Sequence, residues 1–198
     1  MKNYEDIKKF VTEYKGMITI DDFKKEDISH HYINQLIEDK IIERVGTGVY
    51  NKCDEFEDEF FVMQQNSKRI IFSFNTALYF INKTEVTPYR IDVTVPNGYN
   101  VHRINKDVVI HYTPEENLYL GATKVQTPYG NEVLSYNLER CICDIIRCDN
   151  TGLDIEQINK VIRNAFLKKQ IDFNILTEYA KKLKCDKKLN QYTEVLLW

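Results

Sequence analysis

Two helix starts ten residues apart, Thr19 and Ser29, constrain the fold of this chain more than any other feature. Thr19 is followed three residues on by Asp22, an acidic variant of the capping box, and Ile18 and Phe23 sit where a hydrophobic staple would close around it. The helix this opens is short and stops near Lys25–Asp27. Ser29 is a good N-cap residue, with Ile28 and Ile33 as a second staple. Ile33, Leu36 and Ile37 then recur at helical spacing and predict a buried stripe, which leaves His30, His31, Asn34, Gln35 and Glu38 facing outward. Upstream, Ile7, Phe10, Val11 and Tyr14 mark an amphipathic helix ended by Gly16. Downstream, Ile41–Val45 and Gly48–Tyr50 flank a glycine-bearing turn and predict a β-hairpin. Three short helices and a hairpin in about fifty residues predict a small winged helix-turn-helix over 1–53.

Such a domain predicts binding to double-stranded DNA. The major groove admits one helix, and hydrogen-bonding side chains on its outer face read the base edges. Asn34 and Gln35 suit adenine, and His30 and His31 suit phosphate or guanine. Ser29 and the first free helix amides suit a phosphate. In the wing, Arg44 and Thr47 are placed to reach the DNA backbone or minor groove. Residues 1–53 hold nine bases and ten acids, and the whole chain carries a net charge of -3. Binding would therefore rest on where Lys15, Lys24, Lys25, Lys40 and Arg44 stand, not on bulk charge. The plainer alternative is a solvated polar face, or a winged helix that docks a protein partner without binding DNA.

Five of the six residues Asp54–Glu59 are acidic. The run reads as a linker or first helical turn, and the domain boundary is placed at 53/54. The remaining 54–198 predict a larger mixed α/β domain, which makes the fold class α+β. Helices are expected over 58–65, 75–81, 138–147, 155–169, 173–184 and 189–197. Strands are expected over 69–73, 89–96, 108–112, 118–120, 124–127 and 133–136, with a turn at Pro128–Asn131. Between Lys160 and Asn190 nine bases stand against three acids. Lys181 and Lys184 are spaced i, i+3 and Lys184 and Lys188 i, i+4, which favours a shared face for some of them and a possible second basic surface for nucleic acid.

The five cysteines, Cys53, Cys141, Cys143, Cys148 and Cys185, include no C-x-x-C pair, so free thiols in a reducing compartment are expected and no metal site. In the helix 138–147, Arg140 and Asp144 predict an intrahelical ion pair, and Cys141, Ile142, Ile145 and Ile146 predict core. Neither His102 nor His111 belongs to a motif that would activate Cys143. No phosphate-cradling glycine loop, zinc-protease pair or nucleophile elbow is present, so no catalytic residue and no cofactor are assigned. No apolar run approaches the ~18 residues of a membrane span, and the N-terminus lacks a signal-peptide core. A cytoplasmic location and no membrane partner are expected.

The segments Gly16–Asn51, Phe72–Pro96 ("FSFNTALYFINKTEVTPYRIDVTVP") and Tyr136–Arg147 ("YNLERCICDIIR") together resemble the AbiEi family, antitoxins of the abortive-infection AbiE toxin–antitoxin systems. The Glu139-Arg140-x-x-Cys143-Asp144 helix after a strand is the most specific of these pieces. The resemblance implies a winged helix that binds the operon's own promoter, at inverted repeats, and represses it. It also implies a C-terminal domain that counters a nucleotidyltransferase-like toxin. DNA contact is carried over to Ser29–Gln35 and Arg44–Tyr50.

Overall fold

The computed structural model describes residues 3–84, 87–102, 104, 107–148 and 155–197. It is a mixed α/β structure of two compact units, one formed by 1–68 with 126–133, the other by 69–125 with 134–198. The first unit therefore extends past the boundary expected at 53/54. Residue Asp58 explains the extension. It is fully buried, and its carboxylate accepts hydrogen bonds from the backbone amides of Phe60 and Phe61 (both 3.1 Å). It also accepts from Thr127 Oγ1 (2.5 Å) and Asn131 Nδ2 (2.8 Å). What the composition presents as a solvated acidic run thus contains one buried, fully partnered carboxylate.

The first unit runs α1 (Tyr4–Glu13), β1 (Ile18–Thr19), α2 (Ile20–Lys25), α3 (His30–Glu38), β2 (Ile42–Gly46), β3 (Val49–Lys52) and α4 (Glu59–Asn66). Its three strands are ordered β1-β3-β2, all antiparallel. The two capping boxes at Asn3–Asp6 and Thr19–Asp22 are both formed. The stapled pairs Ile18/Phe23 and Ile28/Ile33 meet in one core with Ile7, Val11, Leu36, Ile42 and Tyr50. Burying an aliphatic side chain of this size contributes about 1.5–3 kcal/mol, so this core, more than helix propensity, fixes three helices of ten residues or fewer.

The second unit contains β4 (Ile71–Phe72), α5 (Phe74–Phe80), β5 (Ile91–Pro96), β6 (Val108–Thr113), β7 (Ala122–Gln126), β8 (Glu132–Tyr136), α6 (Leu138–Arg147), α7 (Ile155–Leu167), α8 (Phe173–Lys182) and α9 (Asp186–Leu197). The sheet order is β6-β5-β4-β8-β7; β5 runs parallel to β6, and β4 runs parallel to β8 and antiparallel to β5. The strand expected at 118–120 does not form. Glu115–Asn117 make a 3-10 turn instead, and Leu118 is buried with its carbonyl accepting from Tyr136 Oη at 2.8 Å. A short apolar triplet is as compatible with a buried turn as with a strand. Helix α6 is the centre of the unit: Leu138 and Arg140–Ile146 are all buried. Asn137 caps it by accepting from the Arg140 amide at 3.0 Å.

Five helices, α2, α3, α5, α7 and α8, end in a shared way. Asp27, Lys40, Asn82, Lys169 and Lys184 all have φ between 50° and 59°. At each, the residue donates to the carbonyl three back and its successor to the carbonyl five back, as in Lys40 N to Ile37 O (3.0 Å) and Ile41 N to Leu36 O (3.0 Å). These are Schellman turns, which usually place glycine at the left-handed position. With only seven glycines in the chain, polar side chains take that place.

Candidate nucleic-acid interface

Helix α3 is fixed from its inner side and free on its outer side. Ile33 and Leu36 are buried, and Gln35 and Ile37 are half-buried. His30, His31, Asn34 and Glu38 are exposed. Gln35, expected on the reading face, therefore sits at its margin, and an acid, Glu38, takes part in that face. At the C-terminal end, Tyr4 Oη donates to Asp39 Oδ2 at 2.6 Å, and the Tyr4 ring stacks on Tyr32 with centroids 6.1 Å apart. Partial burial and the Asp39 carboxylate push the Tyr4 hydroxyl up to about 12.

Ser29 occupies the N-cap position of α3 in extended conformation, but its hydroxyl caps no amide. The capping hydrogen bond expected from the sequence is not made. The first-turn amides have no acidic side chain beside them either. Such an end favours an anion, because the helix dipole and the unclaimed N–H groups point outward.

The hairpin β2–β3 is held at its tip. Gly48, at φ 68°, accepts from Ile20 N at 2.8 Å, and Thr47 N donates to Asn66 Oδ1 at 3.0 Å. A Cβ on Gly48 would lie 2.9 Å from Ile20 Cγ2, so the close approach of α2 and the turn needs glycine. The strand β2 bulges between Arg44 and Gly46, and Arg44 Nε donates to Gly46 O at 3.2 Å. Arg44 and Thr47 are both exposed.

Most cations of the first fifty-three residues are neutralised locally. Lys8 pairs with Glu5, Lys9 with Glu13, Lys24 with Asp21, Lys25 with Asp22, and Lys52 with Glu55. Surface pairs of this kind stabilise little, and their charge is already matched. Among the described residues, Lys15, Lys40 and Arg44 of this segment make no ion pair, and all three are exposed. Sequence spacing does not separate them: Lys40 has Glu43 three residues on and, among the described residues, makes no ion pair, whereas Lys9 pairs with Glu13 four residues on.

In the second unit, Arg140 and Asp144 form the expected pair, but it is not a surface pair. Arg140 is fully buried; Nε donates to Asp144 Oδ2 (2.9 Å), and Nη1 donates to the carbonyls of Asn117 (2.8 Å) and Leu120 (2.7 Å). Its guanidinium lies 4.1 Å over the Tyr136 ring. Arg147 Nη2 donates to the other Asp144 oxygen at 3.0 Å. Burial raises the Asp144 carboxyl above its ordinary value, and the two arginines oppose that rise. Cys143 is buried, and a hydrogen bond with the Cys185 thiol together with burial holds its own thiol well above the ordinary range. A thiol in that state is a weak nucleophile. All five cysteines are free, and among the described residues no group of three or more His, Cys, Asp or Glu is placed to share a metal ion.

Lys181, Lys184 and Lys188 are all exposed, but they do not lie on one helix face. Helix α8 ends at Lys182, the chain turns left-handed at Lys184, and Lys188 belongs to α9. The Schellman turn at Lys184 separates α8 from α9, so the expected shared face is not formed.

No protein-family model and no curated protein matches this chain. The crystal structure of the Rv2827c protein from Mycobacterium tuberculosis is similar at 10% identity and a TM-score of 0.49, covering 100% of this chain and 81% of that one. Among the described residues no helix is long and apolar enough to cross a membrane.

Proposed function

We propose that the first unit is a winged helix-turn-helix that binds duplex DNA with α3 in the major groove, and that the protein is an AbiE-type antitoxin that represses its own promoter. The observation that carries this reading is the uncapped, outward-facing α3. Its amide end is unclaimed, its outer side chains His30, His31 and Asn34 are exposed, and a hairpin of the same three-stranded sheet follows it. His30, His31 and Asn34 would meet base edges, with Gln35 at the rim. Ser29 and the first amides of α3 would meet a phosphate. Lys15, Lys40 and Arg44 supply the unmatched positive charge, and the Thr47 hydroxyl would extend the contact from the hairpin turn. Lys24 contributes little while Asp21 holds it. The resemblance to the AbiEi family adds the second half of the proposal: the larger unit counters a nucleotidyltransferase-like toxin, with no catalysis of its own, inside the cytoplasm.

The test is a mobility-shift titration of the full chain on the DNA upstream of its own gene, at several salt concentrations. Binding that prefers this DNA over unrelated duplex and weakens with salt supports the reading. Equal affinity for both, or none, overturns it. A second reading, a protein-docking winged helix, is favoured by one observation: Glu38 stands on the same exposed face as the two histidines. Glu38→Gln separates the two, because removing this charge should strengthen binding to phosphate-rich DNA.

A further inference from the structure

The second unit has an open cleft of about 570 Å³, a volume within the range of small-molecule sites. Three segments line it. The loop after β6 supplies Glu116, Asn117 and Tyr119; the last turn of α6 supplies Arg147; the end of α8 supplies Lys182 and Lys184. Three cations thus face one acid in a single concavity.

The cations are not casually placed. Asp144, itself buried, fixes Arg147 through the 3.0 Å bond from Nη2, while about a third of the arginine side chain stays exposed. Lys182 pairs with Glu178 at 2.7 Å, so its charge is matched until it leaves this exposed and weakly held contact for a bound anion. Lys184 has no side-chain partner among the described residues. It holds the left-handed position of the α8 Schellman turn, at φ 59°, with its amide on Lys181 O (3.2 Å) and the Cys185 amide on Ala180 O (2.9 Å). The turn fixes where its backbone leaves α8 and leaves the side chain exposed at the rim of the cleft. Beside the cations, Tyr119 is 54% exposed and offers an aromatic face. The Glu116 carboxylate and the Asn117 side chain can accept hydroxyl or amino protons.

We propose that this cleft binds a nucleoside triphosphate. Its phosphates would lie against Arg147, Lys182 and Lys184, its base against Tyr119, and its sugar hydroxyls toward Glu116. Inorganic polyphosphate shares the anionic half of this chemistry but not the planar ring. The site stands apart from the DNA reading, because none of its residues belongs to the first unit.

The experiment is calorimetric titration of the full chain with ATP, inorganic tripolyphosphate and adenosine. ATP should bind more tightly than tripolyphosphate, and both more tightly than adenosine. Lys182→Gln with Lys184→Gln should weaken ATP tenfold or more without changing the melting temperature, since both side chains are exposed. Tyr119→Ala should reduce ATP to the affinity of tripolyphosphate. Absence of ATP binding by the folded protein at millimolar nucleotide overturns the proposal, as does ATP affinity unchanged in the double lysine variant. Equal affinity for ATP and tripolyphosphate overturns the nucleoside assignment. Promoter binding by the same double variant is a separate measurement, so failure of one reading is distinguishable from failure of the other.

Discussion

Asn131 holds Asp58 and the residue 17 amide at once: its Nδ2 donates to Asp58 Oδ2 at 2.8 Å, and its Oδ1 accepts from Met17 N at 2.8 Å. Both side chains are buried. A buried carboxylate with four donors is stable only while those donors remain, and removing one partner costs the desolvation of what is left. Asn131→Leu and Asp58→Asn should each destabilise the first unit by about 2–4 kcal/mol. The measurement is amide exchange at Met17, Phe60 and Phe61, which should accelerate in both variants. Unchanged protection at these amides would show that the network contributes nothing.

The same contact explains what was and was not legible in the sequence. Helix α6 is found at the expected residues because Asn137 caps it and an unbroken run of apolar and paired residues fills it. The first three helices were legible because their signals are local: the apolar stripe of α1, the Thr19–Asp22 cap of α2 and the Ile28/Ile33 staple of α3. Asp58 was not legible, because its partners Thr127 and Asn131 lie about seventy residues away. The Arg140–Asp144 pair was legible from its i, i+4 spacing but its burial was not, because the carbonyls of Asn117 and Leu120 that accept from Arg140 are invisible to helical spacing. Of the side chains singled out on α3, His30, His31 and Asn34 are exposed, whereas Gln35 turns half inward and Ser29 leaves the helix uncapped. The cleft lined by Arg147 and Lys184 needs three distant segments; the basic run Lys160–Asn190 marks Lys182 and Lys184, but helical spacing does not bring Tyr119 or Arg147 to them.

Replacing His30, His31 and Asn34 together with alanine should abolish preference for the cognate DNA while leaving the fold intact. All three are exposed, and the core residues Ile33 and Leu36 are untouched. A well-placed base contact contributes about 1–3 kcal/mol, so loss of two or three removes most discrimination. Circular dichroism checks the fold, and competition with unrelated duplex checks the preference. A folded triple variant that still prefers its own promoter would move the reading surface elsewhere.

The left-handed helix ends predict where the chain can be stabilised. Lys169 is exposed, and its φ of 50° carries the steric cost of a side chain in that region, about 1–2 kcal/mol. Glycine relieves that cost but adds freedom to the unfolded chain, about 0.5–1 kcal/mol. Lys169→Gly should therefore stabilise the second unit by about 0.5–1 kcal/mol. A thermal melt that shifts downward would contradict this.

Acid should loosen the start of α2. Burial of Asp22 raises its carboxyl, but hydrogen bonds from the Thr19 hydroxyl and amide, with Lys25, outweigh it and hold it below its ordinary 3.8. A carboxyl depressed in the folded state contributes stability that is present above its unfolded value and is lost as pH falls through its folded value. The capping box should therefore hold at pH 5 and weaken below 3.8. Asp22→Asn should lose part of this stability already at neutral pH and show a shallower acid dependence. Identical acid profiles for the two proteins would exclude Asp22 as the responsible group.

Gly48 and Ile20 predict a coupling that can be measured by itself. Gly48→Ala faces two penalties, a left-handed φ of 68° and a Cβ placed 2.9 Å from Ile20 Cγ2. The first belongs to the backbone and contributes about 1–2 kcal/mol whatever stands nearby. The second comes mainly from the Ile20 branched methyl, with the Ile20 Cβ at 3.3 Å adding a smaller part that alanine would keep. Ile20→Ala removes that methyl and should lessen the cost of Gly48→Ala, so the double variant should be more stable than the sum of the single changes predicts. Urea unfolding of the four proteins gives the interaction energy, expected at about 0.5–3 kcal/mol for residues in contact. Additive effects would mean that the turn moves away from α2 without cost. Tightness here matters for the proposed DNA reading, because Ile20 N to Gly48 O is one of the two bonds that pin the hairpin tip. A Gly48→Ala protein that remains folded should therefore bind promoter DNA more weakly than a variant altered at the exposed Thr47 side chain alone.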